Sequence, residues 1–246
     1  SLDKYAVQSN VYFSLDEIKK IRKDNPNLEI FININKNLSN DDIDPISEIL
    51  KELDKLNIQG IFFYDLAIPK LKKELNLQTD LVWSQTHMVN NYKTCNYYHS
   101  KGVKYALLGK EITLEEILEI NKLSTITSMV EVVGLPSVAF SKRKLITNFF
   151  KDLNKPSKEK LTVTEKVSNA EYELQEDMNG TSFFLKELVN GTPIIKELFD
   201  NNIEYIVLRE YGIENIFEEL LQDTKEYIEG SCQNNDYVEK YKSLGD

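Results

Sequence analysis

Cysteine and histidine are scarce in this sequence of 246 residues, which holds two of each. Cys95 and Cys232 lie far apart in the sequence, so no disulfide framework is expected, and reduced thiols in a cytoplasm are the simpler interpretation. Two cysteines are also too few to build an iron–sulfur centre or a structural zinc centre. We therefore predict that the chain holds neither a metal nor a cluster cofactor.

Long apolar runs are also lacking, although hydrophobic residues make up 41% of the chain and suffice for a sizeable core. The longest runs, such as residues 58–64, are far shorter than a membrane span. No charged and apolar leader precedes the first predicted strand, so no signal peptide is expected. These absences predict a cytoplasmic protein without a membrane partner.

Positive charge is in deficit. The chain has 30 lysines and arginines against 40 aspartates and glutamates, a formal net charge of −10. Proteins that bind a phosphate backbone by themselves usually carry a basic field. We therefore expect no DNA partner, and an RNA partner such as tRNA would require a local basic patch or a protein partner.

What is present is a regular alternation of strands and helices. Strands are predicted near residues 5, 30, 61, 82, 105, 130 and 206. The helices between them include two that open with capping boxes, Ser14 with Glu17 and Thr113 with Glu116. Alternating units of this kind form parallel sheets. Seven strands are one fewer than a closed barrel has, so we predict a TIM-like (β/α) barrel that lacks the first strand–helix unit.

The rhythm breaks after Phe150, where residues 161–166 and 170–177 alternate like a β-hairpin, with Asn179-Gly180 as a turn. The glutamates of this hairpin are expected to face solvent; they are Glu171, Glu173 and Glu176. We predict a single barrel-like domain over residues 1–229, with a hairpin insertion around residues 160–184. Residues 230–246 are expected to form a polar, loosely held C-terminal tail.

Several ordered blocks carry a resemblance to a known family. They run from Trp83 to His87, from Tyr92 to Tyr98, from Lys101 to Glu111 and from Val130 to Lys144. Together they resemble the collagenase-like peptidase family, over roughly residues 3–229, and in particular a short bacterial branch similar to the tRNA hydroxylation proteins. In that family a further strand and helix precede the first segment, which agrees with the strand count here.

The sequence departs from the family pattern near the seventh predicted strand. Val133-Gly134 stands where the family has a His-Gly pair, and Ser137 and Lys144 stand where it has two cysteines. The resemblance implies that those cysteines are the ligands of an iron–sulfur cluster in related members. Serine and lysine supply no thiolate, so no cluster is predicted here.

Candidate substrate-binding residues follow from the strand ends, because the carboxyl ends of barrel strands carry the chemistry. They are Gln85, His87, Lys110, Glu111 and Arg209. The adjacent lysine and glutamate fall where the family has a basic–acidic pair, which either binds substrate or closes the barrel rim as a structural ion pair. The histidine is either a general base or a hydrogen-bonded loop residue.

A basic cluster of Lys142, Arg143 and Lys144 follows Ser141. The Ser-x-x-Lys spacing occurs in some serine hydrolases, but in a lysine-rich chain it also arises by chance. Read as a cluster of cations, these residues are either phosphate-binding or a solvated loop. Cys95 and His99 lie four residues apart on a predicted helix, where two side chains make either part of a metal site or an ordinary helix surface.

Three functions remain open from the sequence. A peptidase is implied by the family's name, but no nucleophile, base and oxyanion arrangement is visible, so no catalytic residue is assigned. A factor in hydroxylation of a tRNA nucleoside, a wobble uridine, is implied by the short branch and is the interpretation we favour. A degenerate, non-catalytic binding or scaffold protein is favoured by the replaced histidine and cysteine positions.

Overall fold

The computed structural model describes residues 1–9, 11–85, 87–231 and 234–244, without the side chains of residues 234 and 235. The fold is mixed α/β and includes a parallel sheet. The chain forms two compact units. Unit one consists of Ser1–Val130 and Asn201–Tyr205, and unit two of Glu131–Asp200 and the described residues from Ile206 onward. Within the described ranges, no helix combines the length and the apolarity needed to cross a bilayer.

The strands of unit one pair in parallel and in chain order. They are β1 (Phe31–Ile34), β2 (Gly60–Phe63), β3 (Asp80–Trp83), β4 (Tyr105–Leu107) and the first part of β5 (Thr127–Gly134). Most of their side chains are buried, as expected for a parallel sheet whose strands read as apolar runs. The carboxyl ends of β1 to β4 therefore meet along one edge of this sheet.

The helices of unit one follow the predicted alternation. They are α1 (Leu15–Asp24), α2 (Ile43–Lys55), α3 (Ala67–Glu74), α4 (Tyr92–Ser100) and α5 (Leu114–Leu123), with a short 3-10 helix at Asn40–Asp42. Both predicted capping boxes are confirmed. The hydroxyls of Ser14 and Thr113 accept from the amides of Glu17 and Glu116, and each glutamate carboxylate accepts from the backbone amide of its capping residue. A capping side chain of this kind stabilises a helix by about 1 kcal/mol.

The strand predicted near residue 5 is wrong. Lys4 and Gln8 have φ angles of 65° and 60°, left-handed conformations that a strand does not allow. The segment is held instead by the Asn35 side chain, which accepts from the Val7 amide at 2.8 Å and donates to the Val7 carbonyl at 3.1 Å. An asparagine thus satisfies backbone groups that a neighbouring strand would otherwise pair. The other six predicted strands are confirmed, the last as β11 (Tyr205–Leu208).

In unit two, the end of β5 is paired with other strands. β10 (Val189–Asn190) lies antiparallel to it, with Val189 opposite Gly134. β11 also pairs with β5, and the Arg209 amide just beyond it donates to the Val133 carbonyl at 2.8 Å.

A four-stranded antiparallel sheet makes up much of the rest of unit two. Its strands are β6 (Ser137–Ser141), β7 (Lys160–Thr164), β8 (Glu171–Asp177) and β9 (Gly180–Leu185), in the order β6-β9-β8-β7. The two segments predicted as a hairpin pair here as β7 and β8, and Asn179-Gly180 turns the chain from β8 into β9. β6 was not among the predicted strands, and it pairs antiparallel with β9.

Helix α6 (Leu145–Asp152) packs its apolar face on this sheet, where Ile146 and Phe150 contact Leu174. The Glu176 carboxylate caps the helix, accepting from the Ile146 amide at 2.9 Å and from the amide and hydroxyl of Thr147. The expectation that Glu176 faces solvent is therefore wrong. The unsatisfied amides of a helix N-terminus attract a carboxylate, and β8 supplies it.

Three more helices complete the described part of unit two. They are α7 (Ile195–Asp200), which continues a 3-10 helix at Thr192–Ile194, α8 (Phe217–Ile228) and α9 (Asn234–Tyr241). The expectation of a loosely held tail is wrong for α9. Its Tyr237 is 1% exposed, stacks on Tyr227 at 4.4 Å and hydrogen-bonds Thr224 at 2.7 Å. Cys232, in the same predicted tail, lies outside the described residues.

The cap on α6 leads to a stability prediction. Glu176→Gln places an amide group among hydroxyl and amide donors, so we expect the free energy of unfolding to fall by about 1–2 kcal/mol. Urea denaturation followed by circular dichroism measures this. Glu171→Gln is the matched control, because the ion pair between the Glu171 carboxylate and Lys186 is exposed and worth about 0–1 kcal/mol. Equal losses in both variants would contradict the capping role.

The same carboxylate predicts a pH dependence. Burial alone would raise the pKa of Glu176, but hydrogen bonds from Thr147, Thr181 and Ile146 outweigh it and lower the pKa below its ordinary value. The stabilisation is therefore full above about pH 4.3, the ordinary pKa of a glutamate, and disappears as the pH falls through the folded-state pKa. Denaturation curves of wild type and Glu176→Gln are expected to converge at acidic pH, and a constant difference would refute the assignment.

Candidate functional site

Gln85 follows β3 at the carboxyl edge of the unit one sheet. Its side-chain amide donates to the Tyr64 carbonyl at 2.6 Å, and its side-chain oxygen accepts from the Trp83 indole at 3.0 Å. These bonds tie the ends of β2 and β3 together. The side chain is thus engaged by the scaffold, and substrate binding by Gln85 stays a prediction.

His87 and Glu111 are brought together in unit one. The His87 Nδ1 lies 3.2 Å from a carboxylate oxygen of Glu111, and the two side chains are 54% and 68% exposed. At such exposure an ion pair contributes about 0–1 kcal/mol, and only while the imidazole is protonated. The geometry therefore joins two of the predicted residues in an accessible acid–base contact. Lys110, next to Glu111, is half-buried, and its role in substrate binding stays a prediction.

A buried ion pair marks unit two. The Glu131 side chain, in β5, is 1% exposed, and its Oε2 accepts from the Nε of Arg209 at 2.5 Å. The Arg209 side chain follows β11 and remains 34% exposed. Burying a carboxylate is costly unless it is paired, so this contact holds the two side chains together.

Gly134 is the residue that lets this pair fit. A Cβ at this position would lie 2.7 Å from Oε1 of Glu131 and 3.0 Å from the Cβ of Arg209. Any side chain here would push one partner away. In the resemblance, Val133-Gly134 takes the place of a His-Gly pair. The Cβ distances give the glycine of this pair a steric role in this chain.

Glu131 was not among the predicted site residues. It is the single charge inside the strand predicted near residue 130, and that charge was the available signal. Acidic residues are almost never fully buried unless they are paired. A charged residue in a strand that is otherwise buried therefore predicts a partner, here Arg209, which was itself among the predicted residues.

The basic turn, defined as Lys142, Arg143 and Lys144, lies between β6 and α6. Its three side chains are exposed, and none forms an ion pair with any carboxylate in the described ranges. The backbone is fixed, because the Arg143 carbonyl accepts from the Thr181 hydroxyl at 2.9 Å and its amide donates to Ser141 Oγ at 3.2 Å. Ser141 ends a strand, so the Ser-x-x-Lys spacing lacks its expected helix.

The cluster positions implied by the resemblance do not fit an iron–sulfur group. Ser137 is half-buried in β6 and Lys144 is exposed before α6, and neither offers a thiolate. Cys95 is buried in α4, where burial raises the pKa of its thiol to about 11. The His99 Nδ1 lies 2.9 Å from the Thr125 hydroxyl. Among the residues the structure describes, no three His, Cys, Asp or Glu side chains gather as metal ligands do.

Together these observations define an α/β protein with a parallel sheet, a buried acid–arginine pair at the end of β5 and a basic turn. The sequence model of peptidase family U32 matches residues 2–209. The chain therefore belongs to peptidase family U32.

Individual relatives are more distant. The tRNA hydroxylation protein P2 of Bacillus subtilis (strain 168) is 26% identical over 234 residues, which cover 88% of this chain and 75% of that protein. Among solved structures, the U32 peptidase Mk0906 is 18% identical over 59% of this chain, with a TM-score of 0.41. The spore cortex-lytic enzyme SleL of Bacillus megaterium QM B1551 is 10% identical over 83% of this chain, with a TM-score of 0.36. The chain spans 61% of each of these two solved chains.

The buried pair leads to a third prediction. Glu131→Gln leaves Arg209 without its charge partner, and we expect a loss of about 2–3 kcal/mol in the free energy of unfolding, less than for a fully buried pair because Arg209 reaches solvent. Replacing both residues by methionine is expected to recover part of this loss, since it leaves no charge behind. Urea denaturation of the single and double variants measures both effects.

Asp80→Asn serves as the control for this experiment. Asp80 accepts from Lys104 at 2.8 Å, but both side chains are about a third or more exposed. Its substitution is expected to cost about 0–1 kcal/mol. A Glu131→Gln loss no larger than that of Asp80→Asn would show that the pair contributes little to folding.

Proposed function

We propose that this chain takes part in the hydroxylation of a tRNA nucleoside, a wobble uridine, and that the basic turn contacts tRNA phosphates. The relative named for tRNA hydroxylation supports this, because its similarity extends over 88% of the chain. In this proposal the parallel sheet belongs to a TIM-like (β/α) barrel whose strand ends carry the chemistry. The protein works in the cytoplasm and holds no iron–sulfur cluster at Ser137 and Lys144.

The basic turn is the observation that carries the proposal. Three consecutive cations are exposed, their backbone is fixed by Thr181 and Ser141, and no described carboxylate neutralises them. Lysine and arginine side chains held in this way contact phosphate oxygens and set the position of an RNA without reading its bases.

The overall charge limits how the chain binds RNA. With a formal net charge of −10, long-range attraction to a polyanion is weak. Binding then depends on the local cations and decreases with salt as those few contacts are screened. We propose that a protein partner supplies the remaining affinity, so that the basic turn orients the tRNA.

A fourth prediction tests this role in cells. The triple substitution of Lys142, Arg143 and Lys144 by glutamine removes the phosphate contacts, so we expect loss of the hydroxylated uridine. Mass spectrometry of tRNA nucleosides from deletion cells, complemented with wild type or with the variant, measures it. An unchanged nucleoside profile on deletion itself would refute the proposed function and make peptide cleavage assays the next arbiter.

A matched control separates the local patch from total charge. Lys151, Lys155 and Lys158 are also exposed, lie in unit two and pair with no described carboxylate. Their substitution by glutamine removes the same three charges and is expected to preserve the modification. If this control variant lost the modified nucleoside equally, general electrostatics rather than the basic turn would explain the effect.

A further inference from the structure

The chain has three arginines, and the structure places them in three different bonding states. Both Nη groups of Arg22 are engaged by backbone carbonyls, with Nη1 donating to Leu28 at 2.8 Å and Nη2 to Asn57 at 3.3 Å. The Arg143 side chain, in the basic turn, contacts no described acceptor. Arg209 combines features of both, because one edge of its guanidinium is fixed and the other is not.

The fixed edge of Arg209 is its Nε, held at 2.5 Å by the Glu131 carboxylate, whose side chain is 1% exposed. No described residue accepts from its Nη1 or Nη2. The side chain is 34% exposed, and neither Nη atom is among the described side-chain atoms that are buried without a partner, so these two donors are accessible to a solute. The result is a planar donor fork whose orientation is set in advance by a buried partner.

A fork of this kind has a specific chemical complement. Two parallel N–H donors match the two oxygens of a carboxylate, or two oxygens of a phosphate, in bidentate geometry. Fixing the guanidinium beforehand removes part of the conformational entropy that a free arginine loses on binding. Glu131 also balances the charge of the arginine, so the site attracts anions weakly and selects them by geometry.

We propose that Arg209 is the recognition residue of an oxyanion site in unit two, which takes one carboxylate or phosphate group of a small molecule through Nη1 and Nη2. Glu131 acts as the positioning residue, and Gly134 provides the space that lets it reach the guanidinium. The inference deepens the proposed function and rests on it for the ligand's role in tRNA hydroxylation. The binding event itself is independent of that function.

Nuclear magnetic resonance tests the binding directly on the full chain. With three arginines, the ¹⁵N spectrum of arginine Nε groups holds three signals, assigned through Arg209→Lys and Arg143→Lys. Sodium acetate and sodium phosphate are titrated separately against sodium chloride at constant ionic strength. We expect the Arg209 signal to shift saturably in the millimolar range, the Arg143 signal to shift without saturation, and the Arg22 signal to stay in place.

The backbone amide of Gly134 gives a second reporter that survives substitution of the arginine. In Arg209→Lys the positive charge remains but the fork is lost, so we expect apparent affinity at this amide to fall by about tenfold or more. Stronger saturation by acetate identifies a carboxylate ligand, and stronger saturation by phosphate identifies a phosphate ligand. Absence of saturation at Arg209, or equal saturation at Arg143, would overturn the proposal.

The two proposals fail in distinguishable ways. If the nucleoside profile depends on the basic turn while the Arg209 signal does not saturate, the oxyanion site is wrong and the proposed function stands. If Arg209 binds acetate or phosphate but deletion leaves the nucleosides unchanged, the site stands and the tRNA role is wrong. Thermal unfolding of Arg209→Lys, expected to stay near wild type because the ion pair is kept, excludes misfolding as a cause.

Discussion

The buried carboxylate of Glu131 is the constraint on which much of unit two depends. An isolated ionised carboxylate in an apolar strand would cost several kcal/mol, so the chain has to bring a cation to it. The cation is Arg209, 78 residues away in sequence. Meeting this demand places the end of β11 beside the end of β5, and it restricts residue 134 to glycine because a Cβ there would displace one partner.

The other edge of the same strand is held by elements that lie partly beyond the family match. The Gly191 amide donates to the Val132 carbonyl at 2.6 Å, and the Asn190 side chain donates to the Tyr241 carbonyl at 2.8 Å. The match to the family ends at residue 209, whereas Tyr241 belongs to α9. The final described helix thus braces β10, and through β10 the strand that carries Glu131.

What the sequence could predict was local. Both capping boxes and six strands depend on residues within one turn or one strand, and they are confirmed. The strand prediction near residue 5 was wrong because the group that holds this segment, the side chain of Asn35, is distant in sequence. Glu131 was missed for a related reason, since an apolar run hides a charge whose meaning depends on Arg209. No site residue could be assigned a catalytic role, because the spacing of residues in the sequence does not give the distances between their side chains in the fold.

The basic turn keeps its positive charge in an acidic chain because the carboxylates of β8 bond to other groups. All four acidic residues of β8 have described partners. Glu171 pairs with Lys186, and Glu173 pairs with Lys160 and accepts from the Tyr211 hydroxyl. Glu176 caps α6, and Asp177 accepts from the Asn179 amide. A carboxylate already satisfied in this way gains little by turning to another cation. The positive charge of Lys142, Arg143 and Lys144 therefore remains available on the surface, and a net charge of −10 describes the whole chain without describing this part of it.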